Sequence, residues 1–278
     1  MASAPTVSII TVVRNAADAL ALTIGSVRAQ TYSGIEFVVV DGASTDGTTD
    51  VVRARASVID KWVSEPDQGL YDAMNTGKRM ATGDFVMFVN AGDTFINDHA
   101  IAEMMGCVTD LDTLYFGKVR ITDCTGKLSW EVPMIGKRSP APPKSYLPHH
   151  QSIFYPRSFF ARYDYDPAMG YRADAHYTGR ACQLLDRQFT NVLLIQSTLG
   201  GLSSRAITSI AELRAEIAME TALARHIAAS TGNHLQLVDV GVGAVVKYLA
   251  SKAGGLPLVH RLMYTKQLMR RWVASIRG

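Results

Sequence analysis

Three aspartates close apolar runs of strand length: Asp41 at the end of VVVD, Asp67 after WVSEP and Asp93 after FVMFVNAG. A carboxylate on the tip of a buried strand can accept hydrogen bonds from a flat ligand edge, such as a nucleobase N–H or a ribose hydroxyl. Several at one rim would repel one another unless a hard divalent cation with oxygen ligands, bridging to a diphosphate, joined them. Each also has a plainer use. Asp41 could close the turn it makes with Gly42, Ser44 and Gly47, Asp67 could cap a helix, and Asp93 could cap the one that follows. In EPDQGLYDAMNTGKRMATGD, Tyr71, Met74 and Lys78 share a helix face, with Asp72 and Asn75 alongside. Lys78 near the strand ends could reach a phosphate. Asn75 and Gly77 weaken the helix they sit in, unless close packing of helix on sheet requires them.

The elements that must position these acids alternate regularly over the first hundred residues. VSIITVV (7–13), EFVVVD (36–41), IDKWVSE and FVMFVN read as strands, with helical stretches through ALTIGSVRAQ, TTDVVRARA and LYDAMNTGKRMA between them. Near-continuous apolar strands separated by amphipathic helices predict a mainly parallel sheet covered on both faces. In such a sheet the ligand crevice lies outside the carboxyl ends of the strands, at Arg14-Asn15, Asp41-Gly42, Glu65 to Asp67 and Asn90 to Asp93. The glycine turn after Asp41 does not follow G-x-G-x-x-G, which argues against a dinucleotide-binding dehydrogenase. RNAADAL, after the first strand, does not resemble a Gly-rich, Arg/Lys-bearing triphosphate loop, which argues against a nucleotidyltransferase.

From about residue 110 the pattern shortens to LYFGKVRIT and KLSWEVP, then a proline-rich link, MIGKRSPAPPKSYLP, that holds no regular helix. LPHHQSIFYPRSFF, a helix-like RADAHYTGRACQLL, a strand FTNVLLI and a long helix over AITSIAELRAEIAMETALARHIAAS follow. His149 and His150 could ligate a metal, orient a sugar hydroxyl or simply pack. Trp130, Tyr146 and Tyr171 could stack on sugar faces or belong to the core.

The whole chain, 278 residues with 47% hydrophobic and 19% charged, can bury a substantial core. Cys107, Cys124 and Cys182 are scattered without C-x-x-C spacing, so neither a disulfide framework nor a thiolate zinc site is expected, and a reducing cytoplasm fits. The N-terminus has neither a basic leader nor a run long enough to span a membrane. Seven basic residues and no acidic one follow Asp239, so the earlier chain carries −4 against an overall +3. Apolar residues interleave with those charges. Residues 245–278 could therefore lie on an anionic membrane surface, or form a helical pair packed on the body with a solvated basic face. Nucleic acid is not expected as a partner, and the helical end leaves room for a homodimer.

In this order and at these intervals, VSIITVVRNA, VVVDGASTDGT, DQGLYDAMNTG and ATGDFVMFVNAGD resemble the N-terminal domain of family-two glycosyltransferases of the GT-A fold. The similarity runs on through HHQSIFY and GGLSS and is strongest to the subgroup that makes bacterial cell-surface polysaccharides and glycolipids. It implies an α/β fold of GT-A type, a mainly parallel sheet flanked by helices with a C-terminal helical extension. Residues 1–110 would form the nucleotide-sugar-binding half, 111–205 the acceptor-binding and catalytic half, and 206–278 a helical region with the basic amphipathic tail. The implied activity is inverting transfer from a nucleotide diphosphate sugar to a lipid-linked or polysaccharide hydroxyl, on the cytoplasmic face of the cell membrane. A non-catalytic nucleotide-sugar-binding partner is the alternative. Asp41 would contact the base and Asp93 would hold Mg²⁺ or Mn²⁺, with Asn15, Asp67, Lys78 and Asn90 completing the donor side. Asp174 matches the acid that removes the acceptor's proton, His176 stands where many relatives carry a second acid, and His150 and Gln151 would lie by the acceptor. Where many relatives end the fourth strand in Asn-Ala-Asp-Asp, this chain has Gly92 in place of the first acid.

Overall fold

The computed structural model describes residues 4–123, 125–133, 141–142 and 146–198. The long helix expected over 206–230, the GGLSS turn and the basic tail at 245–278 lie outside the described residues.

The chain opens with β1 (Val7–Val13), α1 (Ala17–Arg28), β2 (Ile35–Asp41), α2 (Thr48–Ala54), β3 (Lys61–Ser64), α3 (Leu70–Met80) and β4 (Phe85–Phe88). β1 is buried along its whole length because it lies between β2 and β4, parallel to both, with helices on each face. The second part adds β5 (Thr94–Phe95), α4 (Ala100–Met105), β6 (Leu114–Thr122), β7 (Ser129–Val132), β8 (Ile153–Pro156), α5 (Arg157–Phe160), α6 (Ala173–Leu184) and β9 (Arg187–Thr198). Among the described residues these strands form one sheet in the order β3-β2-β1-β4-β8-β6-β9-β5, with β7 on β6. The first four strands are parallel, whereas β8 runs antiparallel to both β4 and β6, and β9 is parallel to β6.

That order decides where the site lies. The carboxyl ends of β1 to β4 and of β9 open on one rim, and β8, running the other way, starts there. The short 3₁₀ turn His150–Ser152 immediately precedes β8, so it is delivered to the same rim.

α3 settles the question of Asn75 and Gly77 as packing. Gly77 lies on Ile10 so closely that a Cβ there would come within 2.4 Å of the Ile10 methyl. Asn75 exchanges hydrogen bonds with the backbone of Tyr165, donating to its carbonyl at 2.9 Å and accepting its N–H at 2.8 Å.

At the opposite rim Glu36 ties three segments together. It takes Lys61 Nζ at 2.6 Å and the Thr82 N–H at 2.7 Å, and accepts the Ser8 hydroxyl. Burial alone would raise this carboxyl, but hydrogen bonds from Lys61, Ser8 and Thr82 outweigh it and bring it down to about 2. A carboxyl depressed by folding contributes stability above its unfolded value, about 4.3, and loses it as pH falls toward 2. Glu36→Gln is expected to cost about 1–2 kcal/mol at pH 7 once solvent screening is allowed for, a drop of a few degrees in Tm. The difference from wild type should shrink below pH 4 in thermal melts; equal Tm values at pH 7 would contradict the assignment.

Candidate active site

Two hydrogen-bonded clusters occupy the rim. The first surrounds Asp41, which is fully buried at the end of β2. Its Oδ2 accepts the Ser44 N–H at 3.1 Å and the Ser64 hydroxyl at 2.6 Å, while Oδ1 accepts the Ser44 hydroxyl. Asn15, in the left-handed region at φ 50, donates its N–H to Ser44 Oγ at 2.7 Å and accepts the Thr45 N–H at 2.8 Å. The end of β1 thus braces the loop after β2. Asp67 accepts the Gly69 N–H at 2.8 Å, and its other oxygen lies against Gly42. Asp67 is half-buried, whereas Asp41 is enclosed by two hydroxyls.

The second cluster begins at the turn after β4. Asp93 N–H bonds to the Asn90 carbonyl at 3.0 Å, closing a four-residue turn whose third position is Gly92 at φ +98. A turn with positive φ at that position requires glycine or, less well, asparagine. Gly92 meets that requirement. Thr23 of α1 fixes the turn by accepting the Gly92 N–H at 2.9 Å and donating to the Asp93 carbonyl at 2.9 Å.

The Asp93 side chain is 8% exposed and accepts the Gln151 amide. Its carboxyl is pushed up by burial, which hydrogen bonds from Ser197 and Gln151 and the nearby His150 only partly offset. Beside Gln151, His150 Nδ1 lies 3.2 Å from Asp174 Oδ2, and Nε2 lies 3.5 Å from Asn90 Nδ2. Asp174, in the first turn of α6, receives the Ala175 N–H at 2.7 Å and the Tyr71 hydroxyl at 3.3 Å on its other oxygen. Burial pushes this carboxyl up, but the hydrogen bond and charge of His150, the Ala175 N–H and the Arg172 charge together hold it below the usual range. The ring of His149 stacks on that of His150 at 5.0 Å; burial holds it neutral, its imidazole lowered to about 3.

The structure therefore brings Asn90, Asp93, His150, Gln151 and Asp174 into one ridge, and Asn15, Asp41 and Asp67 into a neighbouring cluster. The three strand-end acids do not gather as one bare group: β1 separates Asp41 from Asp93 by two strand spacings, about 10 Å. Lys78 is not at the rim. It is buried and donates to Asp164 at 2.8 Å and to the Tyr163 carbonyl, with its ammonium 4.9 Å from the centre of the Tyr177 ring. A cation so enclosed braces α3 against the chain leading to α6 and is not presented to a phosphate. His176 follows Asp174 by two residues on α6, so its side chain leaves the helix roughly 200° around the axis from that of Asp174.

Ser44, Ser64 and Ser197 were not legible as site residues, although the strand-end rule applied to hydroxyls would have raised the last two. A pocket of about 210 Å³ opens beside Tyr71, between the start of α3 (Gln68, Gly69, Leu70) and Pro167 and Gly170. Among the described residues no set of three or more His, Cys, Asp or Glu side chains is arranged to hold a metal. Asp93 fits a narrower part, a single buried carboxylate with only neutral hydrogen-bond donors against it, beside the buried and unpartnered Asn90 Oδ1.

The family model described as glycosyl transferase family 2 matches residues 8–175. An uncharacterized glycosyltransferase of Mycobacterium tuberculosis (strain ATCC 25618 / H37Rv) is 33% identical over 215 residues, covering 73% of this chain and 79% of the relative. A PGL/p-HBAD biosynthesis glycosyltransferase of the same strain is 31% identical over 166 residues, 57% of this chain and 62% of the relative. Among solved structures, S. aureus TarS superposes with a TM-score of 0.62 at 15% identity, over 90% of this chain and 44% of that one. The mannosyltransferase PcManGT from Pyrobaculum calidifontis, in complex with GDP-Man and Mn²⁺, gives 0.58 at 19% identity, over 95% and 80%.

Proposed function

The chain belongs to glycosyl transferase family 2, and from that premise we propose that it moves one sugar, with inversion, from a nucleotide diphosphate sugar to a hydroxyl of a lipid-linked or polysaccharide acceptor. The observation that carries this reading is the ridge in which Gln151 donates to Asp93 and its chain neighbour His150 pairs with Asp174. On this reading the donor side and the proton-accepting side of one displacement share a single rim. Asp67 and Asp41, braced by Asn15, shape the nucleotide end, and Asn90 faces the sugar between the two clusters. Lys78 supports the site from beneath. On this reading the acceptor enters past Tyr71, which lines the pocket between α3 and Gly170 and donates its hydroxyl to Asp174. His176 lies outside this path.

Asp93 would hold Mg²⁺ or Mn²⁺, and the ion when bound would neutralise charge growing on the departing diphosphate. One protein carboxylate suffices for such an ion when diphosphate oxygens and waters fill its other positions. Inversion requires a base and no protein nucleophile. Asp174, with both oxygens hydrogen-bonded, suits a proton-handling part better than attack on carbon.

No described helix is long and apolar enough to cross a membrane. The basic, apolar-interleaved residues 245–278 support attachment to the surface of an anionic membrane.

Incubation with a panel of UDP-, GDP- and dTDP-sugars, Mn²⁺ and membrane lipid extract tests the reading. One donor should release its nucleoside diphosphate and label a lipid or polysaccharide product. Nucleotide binding without turnover of any donor would point to the non-catalytic binder instead.

A further inference from the structure

The pocket beside Tyr71 has walls whose size and charge limit what it can hold. Gln68, Gly69, Leu70, Tyr71 and Asp72 at the start of α3 face Pro167 and Gly170 across it. At about 210 Å³ it is smaller than the ~300–1,000 Å³ of sites that enclose drug-sized ligands, which suits a single ring and not a lipid chain. Gly170 turns the far wall at φ 55 and ψ −143, a conformation essentially confined to glycine. Leu70, Tyr71 and Pro167 supply apolar surface, and the exposed Gln68 side chain brings an amide donor and acceptor to the mouth.

Charge decides which ring fits. No described Lys, Arg or His lines the pocket. The start of a helix ordinarily favours an anion, but at α3 the chain's own carboxylates already take that place. Asp72 Oδ2 accepts the Gln68 N–H at 3.0 Å, and Asp67 Oδ1 accepts the Gly69 N–H at 2.8 Å. Asp166, beside Pro167, and Asp174, which receives the Tyr71 hydroxyl, add two more acids. The cations on the adjoining segments are engaged: Lys78 is buried against Asp164, and the Arg172 charge acts on Asp174. A phosphate brought to this pocket meets like charge. A sugar hydroxyl instead finds Asp72 Oδ1, which accepts no hydrogen bond from the described residues.

We infer that this pocket takes one uncharged sugar ring of the acceptor, and that Asp72 selects that ring over one carrying a phosphate on its anomeric carbon. The inference rests on the glycosyltransferase reading given above and narrows its acceptor. The hydroxyl that reacts belongs to a sugar already joined by a glycosidic bond to another sugar or to a neutral lipid. An earlier glycosyl transfer must supply such an acceptor, because adding a sugar to a lipid phosphate, or to a sugar directly attached to one, would bring the phosphate against Asp72.

Octyl glycosides of glucose, galactose, mannose, rhamnose and N-acetylglucosamine, each beside the same sugar as its octyl phosphate, test this with the nucleotide sugar the wild type uses. At least one glycoside should accept sugar with kcat/KM on the order of tenfold or more above its phosphate counterpart. Asp72→Asn keeps an acceptor for the Gln68 N–H and removes the charge. It is expected to lower kcat/KM for the glycoside on the order of tenfold, as a charged hydrogen-bond acceptor becomes a neutral one, and to raise it for the octyl phosphate sugar about tenfold. Gln68→Lys changes an exposed side chain and leaves the helix start intact, so it should raise kcat/KM for the phosphate acceptor even where Asp72→Asn fails to fold. Three results would overturn this inference and leave the glycosyltransferase reading standing: no preference for the glycoside over its phosphate, transfer to membrane lipid extract with no glycoside used, or an unchanged ratio between the two acceptors in the folded variants. A wild type that moves no sugar from any donor to any acceptor overturns both.

Discussion

Asp174→Asn is expected to lower kcat on the order of 10³–10⁴-fold and to leave the donor's Kd within about threefold of wild type. The loss is expected because the negative charge at this position does two things the amide cannot. On the proposed reading it takes the proton of the acceptor hydroxyl, and it pairs with His150 Nδ1 at 3.2 Å. Donor affinity is spared because Asp174 approaches neither the Asp41 cluster nor the turn at Asn90 to Asp93 except through His150 and Gln151. Single-turnover kinetics with a labelled donor read both quantities, and turnover at the wild-type rate would remove Asp174 from the chemistry.

Asp93→Ala acts on the other end of the ridge. Asp93 is buried among neutral donors, and that burial raises its carboxyl, so the site favours an added cation over the bare carboxylate. Without the carboxylate, donor affinity in the presence of Mn²⁺ should weaken at least tenfold, about 1.4 kcal/mol, and the difference between Mn²⁺ and chelator should disappear. Alanine also strands the Gln151 amide, at a cost of about 1–3 kcal/mol in stability. Asp93→Asn keeps an acceptor for Gln151 and removes only the charge. The asparagine variant should therefore match alanine in metal dependence while retaining most of the wild-type Tm, as titrations and melts of both would show.

The parallel half of the sheet was legible because β1, β2 and β4 are unbroken apolar runs between amphipathic helices, a pattern with one physical solution. Asp41, Asp67 and Asp93 could be named from the rule that ligands bind beyond the carboxyl ends of such strands. Other parts depended on contacts the sequence does not encode locally. β8 is four residues long and ends at Pro156, too short to show a period, yet it carries His150 and Gln151 to the rim. Lys78 shares a helical face with Tyr71 and Met74, but Gly77 seats α3 on Ile10 and turns that face toward Tyr165 and Tyr177. The convergence of three bare acids failed for a similar reason: the hydroxyls of Ser44 and Ser64 satisfy Asp41 where it stands.

In the proposed division of labour along one ridge, Asp93 would hold the donor and Asp174 would serve the reaction. Calorimetric titration of one nucleotide sugar into Asp174→Asn and into Asp93→Ala, with Mn²⁺ present throughout, measures that division directly. The first variant is expected to bind like wild type and the second at least tenfold more weakly; equal affinities in the two would contradict it.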